Sequence, residues 1–131
     1  MWSPTSDRIA YLEPSTTGAG FVGLSFIGPD GDPRSAKALK APDISGGFPN
    51  GLLAWSPDGR RLAVTSQNTN AATSIWLADP DGAMPFQKLV ELPIGPRIRG
   101  ITWAADGSLI VGQQDATSDI VLMDQGATTN P

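Results

Sequence analysis

The chain contains no cysteine and no histidine among its 131 residues. The first absence excludes disulfides, thiolate metal sites and a cysteine nucleophile, and is compatible with either redox compartment. The second removes the commonest general base and the commonest metal ligand together. Positive charge is sparse. Nine Lys and Arg against thirteen Asp and Glu leave a net charge of −4, so nothing is present to wrap a phosphate backbone, and nucleic acid is not expected as a partner. No apolar run approaches the roughly 20 residues of a membrane-spanning helix. Met1-Trp2-Ser3-Pro4 has neither the basic start nor the apolar stretch of a signal peptide, so any export signal is expected outside this chain. With 40% hydrophobic and 17% charged residues, the sequence sits among ordinary folding proteins. Its length suits one modest domain rather than two.

What is present is a repeat. Trp2-Ser3-Pro4 followed by Arg8-Ile9-Ala10-Tyr11 recurs as Trp55-Ser56-Pro57-Asp58-Gly59 followed by Arg61-Leu62-Ala63-Val64. It recurs again as Trp103-Ala104-Ala105-Asp106-Gly107 followed by Leu109-Ile110-Val111, so the tryptophans stand 53 and 48 residues apart. A second element follows each of these in the same order: Leu24 to Gly31, Ile75 to Gly82, and Ile120 to Gly126. The apolar pieces are short, β-branched and aromatic, and bounded by Pro, Asp and Gly, which marks strands rather than helices. Pro-Asp-Gly suits a tight turn because Pro presets φ at one corner and Gly accepts the positive φ at another. The first turn, Pro4-Thr5-Ser6-Asp7, lacks that glycine. In the middle repeat the spacing predicts strands at Leu52 to Trp55, Leu62 to Ser66, Ser74 to Asp79 and Gln87 to Leu92. The same pattern applied to the whole chain predicts eleven strands.

This pattern, fullest from Trp55 to Gly82, closely resembles the repeat of TolB-type, WD-like β-propellers, and the resemblance covers nearly the whole chain. Blade one departs from it by lacking the first glycine, and blade three by carrying Ala104-Ala105 in place of Ser-Pro. The resemblance implies an all-β fold, a β-propeller fragment of roughly three four-stranded antiparallel blades: about 1–49, about 50–97 and about 98–126, with a polar tail at 127–131. Closed propellers have about 4 to 8 blades, so three do not close a ring alone. Either the chain is a piece of a longer protein, the favoured expectation, or chains associate as a homo-oligomer that completes the ring. Family analogy alone points to the periplasm or cell envelope.

No catalytic apparatus is recognisable. A serine nucleophile without histidine needs a Lys or N-terminal base, no Gly-x-Ser-x-Gly elbow is present, and Ser56 falls in a structural turn. Asp79 and Asp81 fall in a hairpin turn rather than a cleft. Asp79-Pro80-Asp81-Gly82 and Asp30-Gly31-Asp32 have the look of calcium loops, but the further ligands and late Glu are missing. No metal site and no cofactor are expected. The tryptophans at 2, 55 and 103 are assigned to core between adjacent blades.

Strand parity puts the short Asp-Gly turns on one face of the disc and the longer polar connections on the other: Ser15 to Gly20, Gln67 to Thr73, Gln113 to Ser118, and the crossings near Asn50 and near Arg97 and Arg99. Variable loops on a rigid frame are where binding usually lives. The candidate binding residues are Arg97, Arg99, Asn50, Asn68, Asn70, Gln113 and Asp115. Arg97 and Arg99 precede an innermost strand and are placed to face a central channel, where guanidinium groups suit carboxylate or phosphate. The expected function is a non-catalytic interaction or ligand-sensing module that binds a protein or small molecule through the loop face. The alternative is a propeller segment that gates substrate in a prolyl-oligopeptidase-type serine peptidase.

Overall fold

The computed structural model describes residues 1–14, 16, 21–33, 37–39, 52–67, 72–95, 97–114 and 120–123, with backbone alone at 21, 22 and 120–123. Among these the protein is all-β, built of three antiparallel sheets with no α-helix. The first sheet is β1 (Ile9–Pro14), β2 (Phe21–Ile27) and β3 (Lys37–Leu39). The second is β4 (Leu53–Trp55), β5 (Leu62–Gln67), β6 (Thr73–Ala78) and β7 (Gln87–Glu91), and the third is β8 (Arg97–Trp103), β9 (Leu109–Gln114) and β10 (Ile120–Met123). Each sheet is a meander in chain order. The four strands expected in the middle repeat are therefore found to within a residue at either end.

Ten strands are named among the described residues, and the eleventh expected position is reduced to a single antiparallel bridge between Trp2 and Ile9. There Met1 and Ala10 exchange backbone hydrogen bonds, Ala10 N donating to Met1 O at 2.8 Å and Met1 N to Ala10 O at 2.6 Å. The third sheet begins at Arg97, so Arg97 and Arg99 lie within a strand rather than before one.

The second sheet is buried on both faces. Leu62, Ala63, Val64, Thr65 and Ser66 are all buried along β5. The pleat sends alternate residues to opposite sides, and each side meets a different neighbour. Trp55, Leu62 and Ala78 pack with Ala10, Leu24 and Phe26 of the first sheet. Ala63, Ile75 and Leu77 pack with Ile98, Leu109 and Val111 of the third. Full burial of one such Leu or Ile stabilises by about 1.5–3 kcal/mol. The outer strands β3 and β7 are largely exposed, which suits their Lys37, Gln87, Lys88 and Glu91.

The two seams repeat one hydrogen bond. The indole Nε1 of Trp55 donates to Met1 O at 3.2 Å, and that of Trp103 donates to Ala54 O at 2.9 Å. Met1 precedes Trp2 as Ala54 precedes Trp55, so the tryptophan of each later sheet reaches the same carbonyl of the sheet before it. The sequence repeat is thus a repeat of stacking, with β4 and β8 side by side along one edge of the molecule. Trp55 is 9% exposed and Trp103 packs against the second seam, as the core assignment expects, whereas Trp2 is 53% exposed. Its reason is plain in the register: Trp2 sits on the face of the first sheet that points away from the second.

Candidate functional site

Both families of tight turn gather at one end of the stack, as strand parity requires. The first-to-second-strand turns are closed by Ser3 N to Arg8 O, Ser56 N to Arg61 O and Ala104 N to Ser108 O, at 2.9, 2.9 and 2.8 Å. The third is one residue shorter than the others. At the residue that needs positive φ stand Gly59 at +70°, Gly107 at +88° and, in the turn without glycine, Ser6 at +58°. The first turn thus keeps the geometry of the second at the cost of a left-handed serine.

A carboxylate locks each of these turns. Ser56 Oγ donates to Asp58 Oδ1 at 2.7 Å, and Arg60 N donates to the same oxygen at 3.0 Å. In the first turn the carboxylate comes from a different position: Ser3 Oγ and Thr5 Oγ1 each donate to Asp7 Oδ1 at 2.6 Å. In the third, Ser108 donates to Asp106 through both hydroxyl and backbone. The hydroxyl donors, then the backbone amides or the Arg8 guanidinium, hold Asp7, Asp58 and Asp106 below the ordinary carboxylate range.

A cleft of about 510 Å³ opens at this end between the first and second sheets, lined by Asp7, Arg8, Arg60, Asp79, Asp81 and Met84 among others. Most of its charged groups are already engaged. Arg8 spans the seam, with Nη1 2.8 Å from Asp81 Oδ1 and Nη2 3.1 Å from Asp7 Oδ2. Lys37 Nζ donates to the Asp81 carbonyl, and Asp79 accepts from the amides of Asp81 and Met84 at 2.9 and 3.0 Å. The cleft is therefore a clasp between sheets, and its carboxylates serve turns. Among the described residues, no group of three Asp or Glu is placed to hold a metal ion.

Of the expected binding residues, those that are described lie toward the opposite end. Asn50, Asn68, Asn70 and Asp115 lie outside the described residues, as do most of the three long loops. Arg97, Arg99 and Gln113 are described. Arg97 pairs with Gln114 and Ile98 with Gln113, but the next partners are Gly100 and Gly112, which leaves Arg99 as the extra residue of a β-bulge. Ile98 is buried in the second seam at 1% exposure while Arg97 and Arg99 are exposed. The two arginines flank Ile98 and so share the side opposite it, and there Arg99 Nε donates to Gln114 Oε1.

The structure thus brings Arg97 and Arg99 together with Gln114, which the sequence reading left out. Gln113 shares the register of Ile98 and so belongs to the seam side. The signal for Gln114 was strand parity counted forward from Leu109 and Val111, whose seam-facing side puts Gln113 with them and Gln114 opposite. Among the described residues no helix is long and apolar enough to cross a membrane. Compared with protein-family models, curated proteins and solved structures, the chain finds no match.

Proposed function

We propose that the three sheets are successive units of a β-propeller-type stack, and that the chain works as a non-catalytic binding module that recognises an anionic group at its loop end. The observation that carries the functional reading is the alternation about buried Ile98, which sets two exposed guanidinium groups, Arg97 and Arg99, on one side of one strand beside Gln114. Two like charges side by side repel, and an anion relieves that repulsion while accepting several donors at once. Gln114 steadies Arg99 from the neighbouring strand. Arginine, with its planar fork of donors, suits either a carboxylate or a phosphate. The repeated indole-to-carbonyl bond supports the propeller reading, because identical contacts between successive sheets generate a constant rotation from each to the next.

Calorimetric titration of the chain with inorganic phosphate and, separately, with succinate tests the reading and tells the two chemistries apart. Binding of one of them is expected, weakened at least about tenfold by Arg97→Gln with Arg99→Gln while the thermal midpoint stays put. Failure of both anions to bind, or binding indifferent to the two substitutions, overturns it.

A further inference from the structure

Four Asp-Gly pairs occur in the chain, beginning at Asp30, Asp58, Asp81 and Asp106, and in each the glycine takes the positive φ of a tight turn. In such a pair the backbone can attack its own side chain, because glycine carries no Cβ to shield the nitrogen. That nitrogen is held alike in all four turns. Gly31, Gly59, Gly82 and Gly107 donate their N–H to Gly28 O, Ser56 O, Asp79 O and Ala104 O at 3.0, 2.9, 2.9 and 3.0 Å. A difference in reactivity must therefore come from the carboxyl group and from the space around it.

Three of the carboxylates are firmly tied. Asp58 Oδ1 accepts from Ser56 Oγ and Arg60 N, Asp81 Oδ1 from the Arg8 guanidinium, and Asp106 Oδ1 from both the hydroxyl and the amide of Ser108. Asp30 accepts, among the described residues, only the amide of Asp32 at 3.1 Å. The surroundings differ as well. A Cβ placed on Gly59 would stand 3.2 Å from the Thr5 side chain and one on Gly82 would stand 3.2 Å from Leu39 Cδ2, whereas Gly31 and Gly107 have nothing within 4 Å. Asp30-Gly31, exposed at both residues, alone combines a lightly held carboxylate with an open turn.

We propose that Asp30-Gly31 is a site of spontaneous isomerisation to isoaspartate, and that the fold protects the other three Asp-Gly turns from the same reaction. Gly31 N bonds to Asp30 Cγ, and one carboxyl oxygen leaves as water with the amide proton and a proton from solvent, which closes a succinimide. Water then adds to the ring carbonyl that belonged to the Asp30 backbone, and the bond from that carbon to Gly31 N breaks. The chain now runs through the former side chain, and the old backbone carbonyl is a free carboxylate. Water is the only other reactant, and the mass is unchanged. Ring closure must first release the donors that a carboxylate holds. The hydroxyl donors, and then the amides, also keep Asp58 and Asp106 ionised, whereas departure of water needs the protonated acid. The product lengthens the backbone of the turn between β2 and β3, ahead of Lys37, whose ammonium donates to the Asp81 carbonyl across the first seam. It also presents a carboxylate of the kind that isoaspartyl-specific methyltransferases esterify.

Incubation of the folded chain in mildly acidic buffer, followed by peptide mapping and enzymatic methylation of isoaspartate, tests this against the same chain held in urea. In the folded chain isoaspartate is expected at Asp30 at least about tenfold faster than at Asp58, Asp81 or Asp106. In urea, where every turn is lost, the four rates should converge. Asn50-Gly51, outside the described residues, reaches isoaspartate by loss of ammonia and so with a change of mass, which tells its peptide apart. Ser108→Ala removes the hydroxyl lock from the other open turn and should raise the Asp106 rate toward that of Asp30, with Asp58 and Asp81 unchanged. Isomerisation at Asp58, Asp81 or Asp106 of the parent chain as fast as at Asp30 overturns the proposal. So does its absence at Asp30 over a period in which the urea control accumulates it, or an Asp106 rate indifferent to Ser108→Ala.

Discussion

The seam between the first and second sheets and the seam between the second and third share a tether but not a filling. In the first, Phe26 meets Trp55 edge to face, with ring centres 5.8 Å apart and planes at 64°, and Arg8 and Lys37 clasp Asp81 at the turn end. In the second, the buried residues are aliphatic: Ile75, Leu77, Leu92, Ile98, Leu109 and Val111. The difference teaches that the stacking step is set by backbone and indole, which recur, while the side chains between the sheets are free to vary so long as they fill the space.

The sharpest way to break that equivalence is to empty each seam at the matching position. Leu62 and Leu109 are both fully buried and each pairs across its sheet with the tether tryptophan, Trp55 and Trp103. Leu62→Ala and Leu109→Ala are each expected to cost about 2–5 kcal/mol in urea unfolding, and to agree within about 1 kcal/mol of one another. A wider gap would mean that one seam carries the fold and the other is an accessory.

A smaller cut removes only the tether. Trp55→Phe and Trp103→Phe delete the indole donor and should each cost about 1 kcal/mol beyond the lost ring area. Trp76→Phe is the control, because its Nε1 donates to Ser66 Oγ at 2.8 Å within its own sheet. A Trp76 variant should leave seam-dependent unfolding steps in place, and tether variants that behave no differently from it would remove the tether as the common element of the two seams.

Most of this fold was readable before any coordinates, and the reason is local. Short apolar runs between Pro, Asp and Gly fix strand ends, and the tandem repeat turns one such reading into three. Two things were not readable. The turn at Pro4 to Asp7 has no glycine, and only the backbone reveals that Ser6 takes the left-handed position while Asp7 replaces Asp58 from another place in the loop. The bulge at Arg99 inserts one residue into the strand alternation, and no side-chain pattern near Ile98 announces it, since glycines at 100 and 112 face each other there. Of the candidate site, the two arginines were found from charge and position. Gln114 was missed although parity along its own strand puts it opposite Leu109 and Val111, and only its meeting with Arg99 depends on the bulge.

The turns facing each other across the first seam can be exchanged. Ser6→Gly relieves the left-handed strain of an L-residue and is expected to stabilise by about 0.5–1 kcal/mol after the extra chain entropy of glycine. The reverse change, Gly59→Ser, brings strain and a Cβ that would stand 3.2 Å from Thr5 Cγ2, so it should destabilise. Thermal unfolding of the two variants should move in opposite directions, and a shift of the same sign in both would show that the turns are not equivalent in the way their backbones suggest.

The least of the expected effects separates the carboxylate locks. Asp7 is held below its ordinary value of 3.8 by Ser3, by Thr5 and by Arg8, so its stabilising contribution is complete above that value and is lost as pH falls through the lower folded-state value. Asp7→Asn keeps the shape and one acceptor but removes the charge. The variant should be less stable than the parent near neutral pH, and the gap should close as the solution is acidified below about pH 4. The effect is modest because the Asp7 side chain is 48% exposed and water screens much of its interaction with Arg8. Acid titration of both proteins by circular dichroism measures it. A gap that stays constant down to strong acid would mean that the hydroxyl geometry, rather than the carboxylate charge, holds the first turn in the shape that Asp58 gives the second.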